Sequence, residues 1–171
     1  MARKKDKLFD LIVQKLDESE PGAFGPEEER EQDELYKEYR QKIRKQFVDL
    51  CRVVSDALRA ARIKSDELTI VALSYSSYSC KLILKYEPSH DTRAELRLEV
   101  YPKHVHATAH SGNKLHFHPM HASLELNTPF PLLNEAFEEV ILRPFVNEVL
   151  FLKKMARKTG RKKKAKTTSA K

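Results

Sequence analysis

The sequence predicts an α+β fold: a long N-terminal helix, a roughly six-stranded antiparallel meander with one face covered by helices, a C-terminal helix kinked near Pro144, and a disordered basic tail. Three observations carry this. From Glu27 to Ile63 no Gly or Pro interrupts the chain, and apolar residues recur at spacings of three and four. From Leu68 to Leu126 the pattern switches to alternation, punctuated by turn residues. From Pro131 the helical spacing returns, then fades into lysines after Leu152.

A chain of 171 residues can bury one sizeable core, and a composition 40% hydrophobic and 33% charged suits a single domain with a broad polar surface. The expected division is residues 1–26 as basic leader, short helix and linker, 27–152 as one α+β domain, and 153–171 as tail. No apolar run approaches the roughly 20 residues that span a bilayer. The patch Leu8 to Leu16 is broken by Asp10, Gln14 and Lys15, so it does not read as a secretory signal. The expected compartment is therefore cytoplasmic, with nucleoid-associated or nuclear variants. Cys51 and Cys80 lack metal or redox spacing and each falls on an apolar stripe, which predicts reduced core thiols.

In chain order, Leu8, Phe9, Ile12, Val13 and Leu16 form one side of a short amphipathic helix, which docks on its own domain or on a partner. Ser19 to Pro26, with two glycines and two prolines, reads as a linker. The second helix, 27–63, carries Tyr36, Tyr39, Ile43, Phe47, Leu50, Cys51, Val54, Leu58 and Ala61 on one stripe. Helices 8–16 and 27–63 are the segments offered to a protein partner or a second copy. Strands are expected at 68–75, 78–86, 94–101, 104–110, 114–118 and 121–126. The last helix begins near Pro131 and lines up Leu133, Phe137, Val140, Ile141, Phe145, Val149 and Leu152, with Pro144 bending it near Arg143.

A one-residue slip would reverse every side chain, so the demand that all apolar positions share one face selects the register. A turn at Pro102-Lys103 sets Val100 against Val105, Leu98 against Ala107 and Leu96 against Ala109. Across the loop Glu87 to Arg93, Leu84 faces Leu96 and Leu82 faces Leu98. A three-residue turn at Ser111-Gly112-Asn113, with a left-handed Gly or Asn, and another turn at Pro119-Met120 complete six strands. The opposite face then carries the row Glu99, His106, His118, His121.

That row supplies the metal-ligand candidates, since neighbouring imidazoles and a carboxylate suit zinc or another divalent ion. The plainer reading is a solvated sheet face holding the charge pairs Lys81/Glu99, Lys85/Glu95 and Lys114/Glu125; with it, no cofactor is needed. A third reading is a pH-sensitive surface, because clustered imidazoles titrate near neutrality. No nucleophile elbow, glycine-rich phosphate loop or paired-carboxylate motif argues for an enzyme.

The charge is unevenly spread. Residues 153–171 hold ten Lys/Arg and no acid, whereas residues 1–152 hold 22 Lys/Arg against 25 Asp/Glu, a net −3. In composition this tail resembles the lysine-rich tails of chromosomal proteins, a likeness confined to the tail. Lys153, Lys154, Arg157, Lys158, Arg161, Lys162, Lys163, Lys164 and Lys166 are the candidate contacts to the backbone of a nucleic acid or another polyanion, made without sequence specificity. In a eukaryotic cell Arg161 to Lys166 would also serve as a nuclear localisation signal. The sequence thus predicts a non-enzymatic binding protein associated with nucleic acid, the alternative being a metal-binding protein or metal-dependent enzyme built on the histidine face.

Overall fold

The computed structural model describes residues 7–18, 30–76, 79–89, 92–113, 120–126 and 135–168. Helix α1 (Lys7–Glu18) and the long helix α2 (Arg30–Ala60) precede a short 3-10 turn, Ser65–Glu67. Five strands follow: β1 (Thr69–Tyr75), β2 (Cys80–Ser89), β3 (Thr92–Val100), β4 (Val105–Asn113) and β5 (His121–Leu126). They form an antiparallel sheet in the order β1-β2-β3-β4-β5. A π-helical turn, Glu138–Leu142, hands over at Arg143 to helix α3 (Arg143–Thr168).

Alternation sorts the sheet into two faces. On the apolar face Leu73, Leu82, Leu98, Ala107 and Leu124 stand in one row, and Ile70, Leu84, Leu96, Ala109 and Ala122 in the next. Over these rows lie Ile43, Phe47, Leu50, Val54 and Leu58 of α2 and Phe145, Val149 and Leu152 of α3, all buried. Burial of such side chains, at about 1.5–3 kcal/mol each, drives the two layers together. Leu8, Ile12 and Leu16 of α1 join the same core. Of the stripes the sequence offers to a partner, Leu8, Ile12 and Leu16 and Ile43, Phe47, Leu50, Val54 and Leu58 are taken up by the chain's own interior, while the side chains of Tyr36 and Tyr39 lie outside the described residues. Cys51 and Cys80 are free and buried; burial pushes the Cys51 thiol well up, as it does Cys80, to about 12, so both stay protonated.

The α2 terminus shows how the helix stops without glycine. Arg62 adopts φ 56, Ile63 N–H donates to Leu58 O (2.9 Å) and Arg62 N–H to Arg59 O (3.0 Å), a Schellman motif whose apolar contact is Ile63 with Leu58. A side chain in the left-handed region costs about 1–2 kcal/mol. Arg62→Gly is therefore expected to raise stability, by about 0.5–1 kcal/mol after the unfolded chain's gain in freedom is subtracted; chemical denaturation checks it, and a loss would show that the arginine side chain itself stabilises the turn.

Several expectations need correction. The loop Glu87 to Arg93 is much shorter than expected: β2 runs to Ser89 and β3 starts at Thr92, with Ser89 Oγ and Thr92 Oγ1 sharing a hydrogen bond of 2.7 Å. The ladder tolerates Pro88 because the pairing is irregular between Tyr86 and Ser89, where no regular N–H is demanded. Ser111-Gly112-Asn113 is not a turn but the end of β4, paired with Ala94, Arg93 and Thr92. Gly112 has no positive φ; a Cβ there would meet Arg93 Nε at 2.8 Å, so the glycine leaves room for that side chain.

The largest correction concerns strand order. His121 to Leu126 pairs directly with β4, His110 facing His121 and His106 facing Glu125, with no strand between them. The expected strand 114–118 and Pro119 of the expected turn lie outside the described residues, and Met120 hydrogen-bonds to the end of β4: Ser111 N–H donates to Met120 O and Met120 N–H to Ser111 Oγ, both 2.9 Å.

At the C-terminal helix the expected stripe is also revised. Val140 is 41% exposed while Leu142 is buried, because the π turn changes the winding just before Pro144. Arg143 N–H donates five residues back to Glu138 O, a wider turn that eases the proline ring past the preceding carbonyl. The tail, expected to be disordered, continues α3 to Thr168 and passes through Gly160. Lys, Arg, Met and Ala are good helix formers, and cations suit the negative end of the helix dipole.

Candidate polyanion interface and the histidine face

The polar face of the sheet has rows different from those the sequence predicts. One row is Ser74, Lys81, Glu99, His106, Glu125; another is Lys85, Glu95, His110, His121. Glu99 and His106 are neighbours as expected, but His121 stands beside His110, four residues along β4 from His106, and His118 lies outside the described residues. His121 is therefore not in the row of Glu99 and His106; it is a direct neighbour of His110. Among the described residues no group of three His, Cys, Asp or Glu is placed to hold a metal ion.

Charge pairs fill this face. Lys81 Nζ lies 2.6 Å from Glu99 Oε1, as expected, and the Tyr101 hydroxyl donates to Glu99 Oε2 at 2.8 Å. Lys81 holds the Glu99 carboxyl below its ordinary range against the opposing effect of burial, with Tyr101 and His106 helping. Glu95, 7% exposed, accepts from Arg97 Nε at 2.7 Å and lies 3.7 Å from His110 Nε2, while Lys85 pairs with Glu87 instead.

Burial lowers the His110 pKa; Glu95 opposes the shift, and Arg97, Arg93 and His121 add to it. The unfolded chain, with His near 6.5 and Glu near 4.3, thus binds protons more readily than the folded one at both sites. Stability should be full above about pH 6.5, fall as His110 is forced to charge, and fall again as pH drops through the Glu99 titration. Melting temperatures from pH 8 to 4 check this, and His110→Gln should flatten the first decline; an unchanged profile would show that His110 does not govern it.

At the other end of the molecule, α3 brings the first cations of the basic run into defined positions. Lys153 is not free for a ligand: its Nζ lies 2.6 Å from Glu67 Oε2, which also accepts from Lys64 N–H at 3.1 Å. Burial alone would raise the Glu67 pKa, but those hydrogen bonds and the two lysine charges outweigh it and lower it. Lys154, Arg157 and Lys158 are exposed. Arg157 is near enough to Tyr86 to oppose the rise that burial and Glu67 impose on its phenol. Residues 161–166 lie on the same helix backbone.

Close to the Glu67 anchor, a cavity of about 560 Å³ is lined in part by Lys7, Arg59, Arg62, Lys64 and Asp66, with Arg59 paired to Asp56. Another basic cluster was missed by the sequence reasoning: Lys37, Arg40, Arg44 and Lys45 line a cavity of about 550 Å³ beside Tyr75. Its signal was the 37, 40, 44 spacing flanking the apolar stripe of α2, hidden because the helix as a whole also carries many acids. Compared with family models, with curated proteins and with solved structures, the chain matches none. No helix among the described residues is long and apolar enough to cross a membrane.

Proposed function

We propose that this is a non-enzymatic binding protein that associates with nucleic acid through the basic C-terminal segment, by phosphate contacts and without sequence specificity. The observation that carries the reading is the charge of residues 153–171, ten cations and no acid, nine of them on a helix that runs to Thr168 and is rooted in the core through Leu152 and through the Lys153–Glu67 pair. A rooted helix presents its cations at a fixed rise of about 1.5 Å per residue, which spends less conformational freedom on binding than a loose tail does. The segment carries no aromatic residue after Phe151, so base stacking contributes nothing there and the phosphate backbone is the natural target.

The test is the salt dependence of binding to unrelated duplexes. Affinity should fall steeply and linearly on a logarithmic salt axis, about equally for every sequence. Deleting residues 159–171 removes six of the ten cations while leaving Lys153 on Glu67, and should reduce the slope by up to about five. Equal affinity and equal slope for the full and shortened chains would refute the reading.

A further inference from the structure

We propose that the cavity between α2 and the end of β1 is a nucleotide-binding site, in which the cations of α2 hold phosphate and Tyr75 receives the base. The cavity, about 550 Å³, falls in the size range of small-ligand sites. Lys37, Arg40, Arg44 and Lys45 recur at helical spacings, so three turns of α2 present all four to one space. Among the described residues, Asp49 stands on the cavity wall and Asp17 pairs with Arg44 Nη2. Like charges one turn apart work against the helix that carries them. An anionic ligand would offset that repulsion.

Arg44 gives the second observation. Its link to Asp17 fixes the guanidinium from the α1 side, yet its Nε is buried and has no hydrogen-bond partner among the described residues. Buried donors are normally satisfied, and a phosphate oxygen in the cavity would accept from this one. Guanidinium forks match phosphate, while Lys37 and Lys45, both exposed, add charge at the mouth. Phosphate alone would leave the rest of the wall unused. Val48 and the half-buried Tyr75 supply an apolar patch and an aromatic ring, the combination on which a base stacks.

This site does not rest on the reading of α3. It lies roughly 30 Å along α2 from the turn that anchors the basic run, at 1.5 Å per residue over about 20 residues. Binding to the full chain is measured calorimetrically with three probes: ATP, inorganic pyrophosphate, and an eight-nucleotide single strand. Lys37→Gln/Lys45→Gln, which alters only exposed side chains, should weaken ATP or the single strand at least tenfold, and Arg40→Lys, which keeps charge but loses the fork, about fivefold. Tyr75→Leu should weaken the nucleotide probe about tenfold and leave pyrophosphate unchanged. Binding of ATP identifies a free nucleotide as the ligand; binding of the strand without ATP identifies a nucleotide within a chain. Failure of both to bind, or binding indifferent to the lysine pair, overturns the site, and a Tyr75→Leu variant with unaltered nucleotide affinity reduces it to an anion site and overturns the nucleotide assignment.

Discussion

Truncation of Phe145 to alanine is expected to lower the free energy of unfolding by about 3–5 kcal/mol, whereas truncation of Val140 should change it by no more than about 0.5 kcal/mol. Both residues belong to the single stripe that helical spacing predicts. The structure separates them: Phe145 on α3 is fully buried in the core, and Val140 in the π turn is 41% exposed. Removing the phenyl ring takes apolar area out of the core and leaves a cavity that close-packed neighbours fill only in part. Removing the Val140 methyls alters a surface. Urea titrations of the two variants, with unchanged slopes, would read the difference directly in their midpoints. A comparable loss from both would mean that residues 137–145 wind as regular α-helix, as the sequence pattern by itself suggests.

A second large effect is expected from Thr108→Cys/Ser123→Cys. Ser111 N–H donates to Met120 O, so that pair is hydrogen-bonded, and alternation makes His110/His121, Thr108/Ser123 and His106/Glu125 the closer, non-hydrogen-bonded kind. Their Cα atoms should stand about 4.5 Å apart, within the range a disulfide spans. Oxidation should therefore close a loop of roughly 15 residues and add about 2–3 kcal/mol to stability. If a sixth strand lay between β4 and β5, the two positions would be nearly 10 Å apart and no bridge would form. Thiol titration before and after oxidation, with the thermal midpoint of each form, decides between the two arrangements; Cys51 and Cys80, both buried, are poor competitors for the reaction.

Much of the sheet was legible because the short Pro102-Lys103 turn and a clean alternation together leave one register for β3 and β4. Val100/Val105, Leu98/Ala107 and Leu96/Ala109 pair as the sequence predicts, and so do Leu84/Leu96 and Leu82/Leu98. The ends of the strands were less legible. Ser111-Gly112-Asn113 has the composition of a turn, yet here the small residues continue a strand under the Arg93 side chain, a role that turn propensities do not register. The Lys153–Glu67 pair joins residues 86 positions apart, so the run of tail cations gave no sign that its first member was already engaged.

The placement of His121 was illegible for a more general reason. Alternation states which face a side chain occupies, because successive residues of a strand point to opposite sides. It does not state which strand lies alongside. His106, His110 and His121 all point to the polar face whether or not another strand intervenes, since inserting one changes neighbours but not parity. The sequence by itself determined the α+β layering, the apolar and polar faces, the stripe of α2 and the concentration of positive charge at the C-terminal end. Only the tertiary structure decided that His121 meets His110 rather than the Glu99–His106 pair, that Val140 turns outward, and that four cations of α2 share one cavity with Tyr75. Each of those depends on contacts between segments distant in the chain, where hydrogen-bond pairing and the close packing of side chains select among arrangements that local periodicity leaves equal.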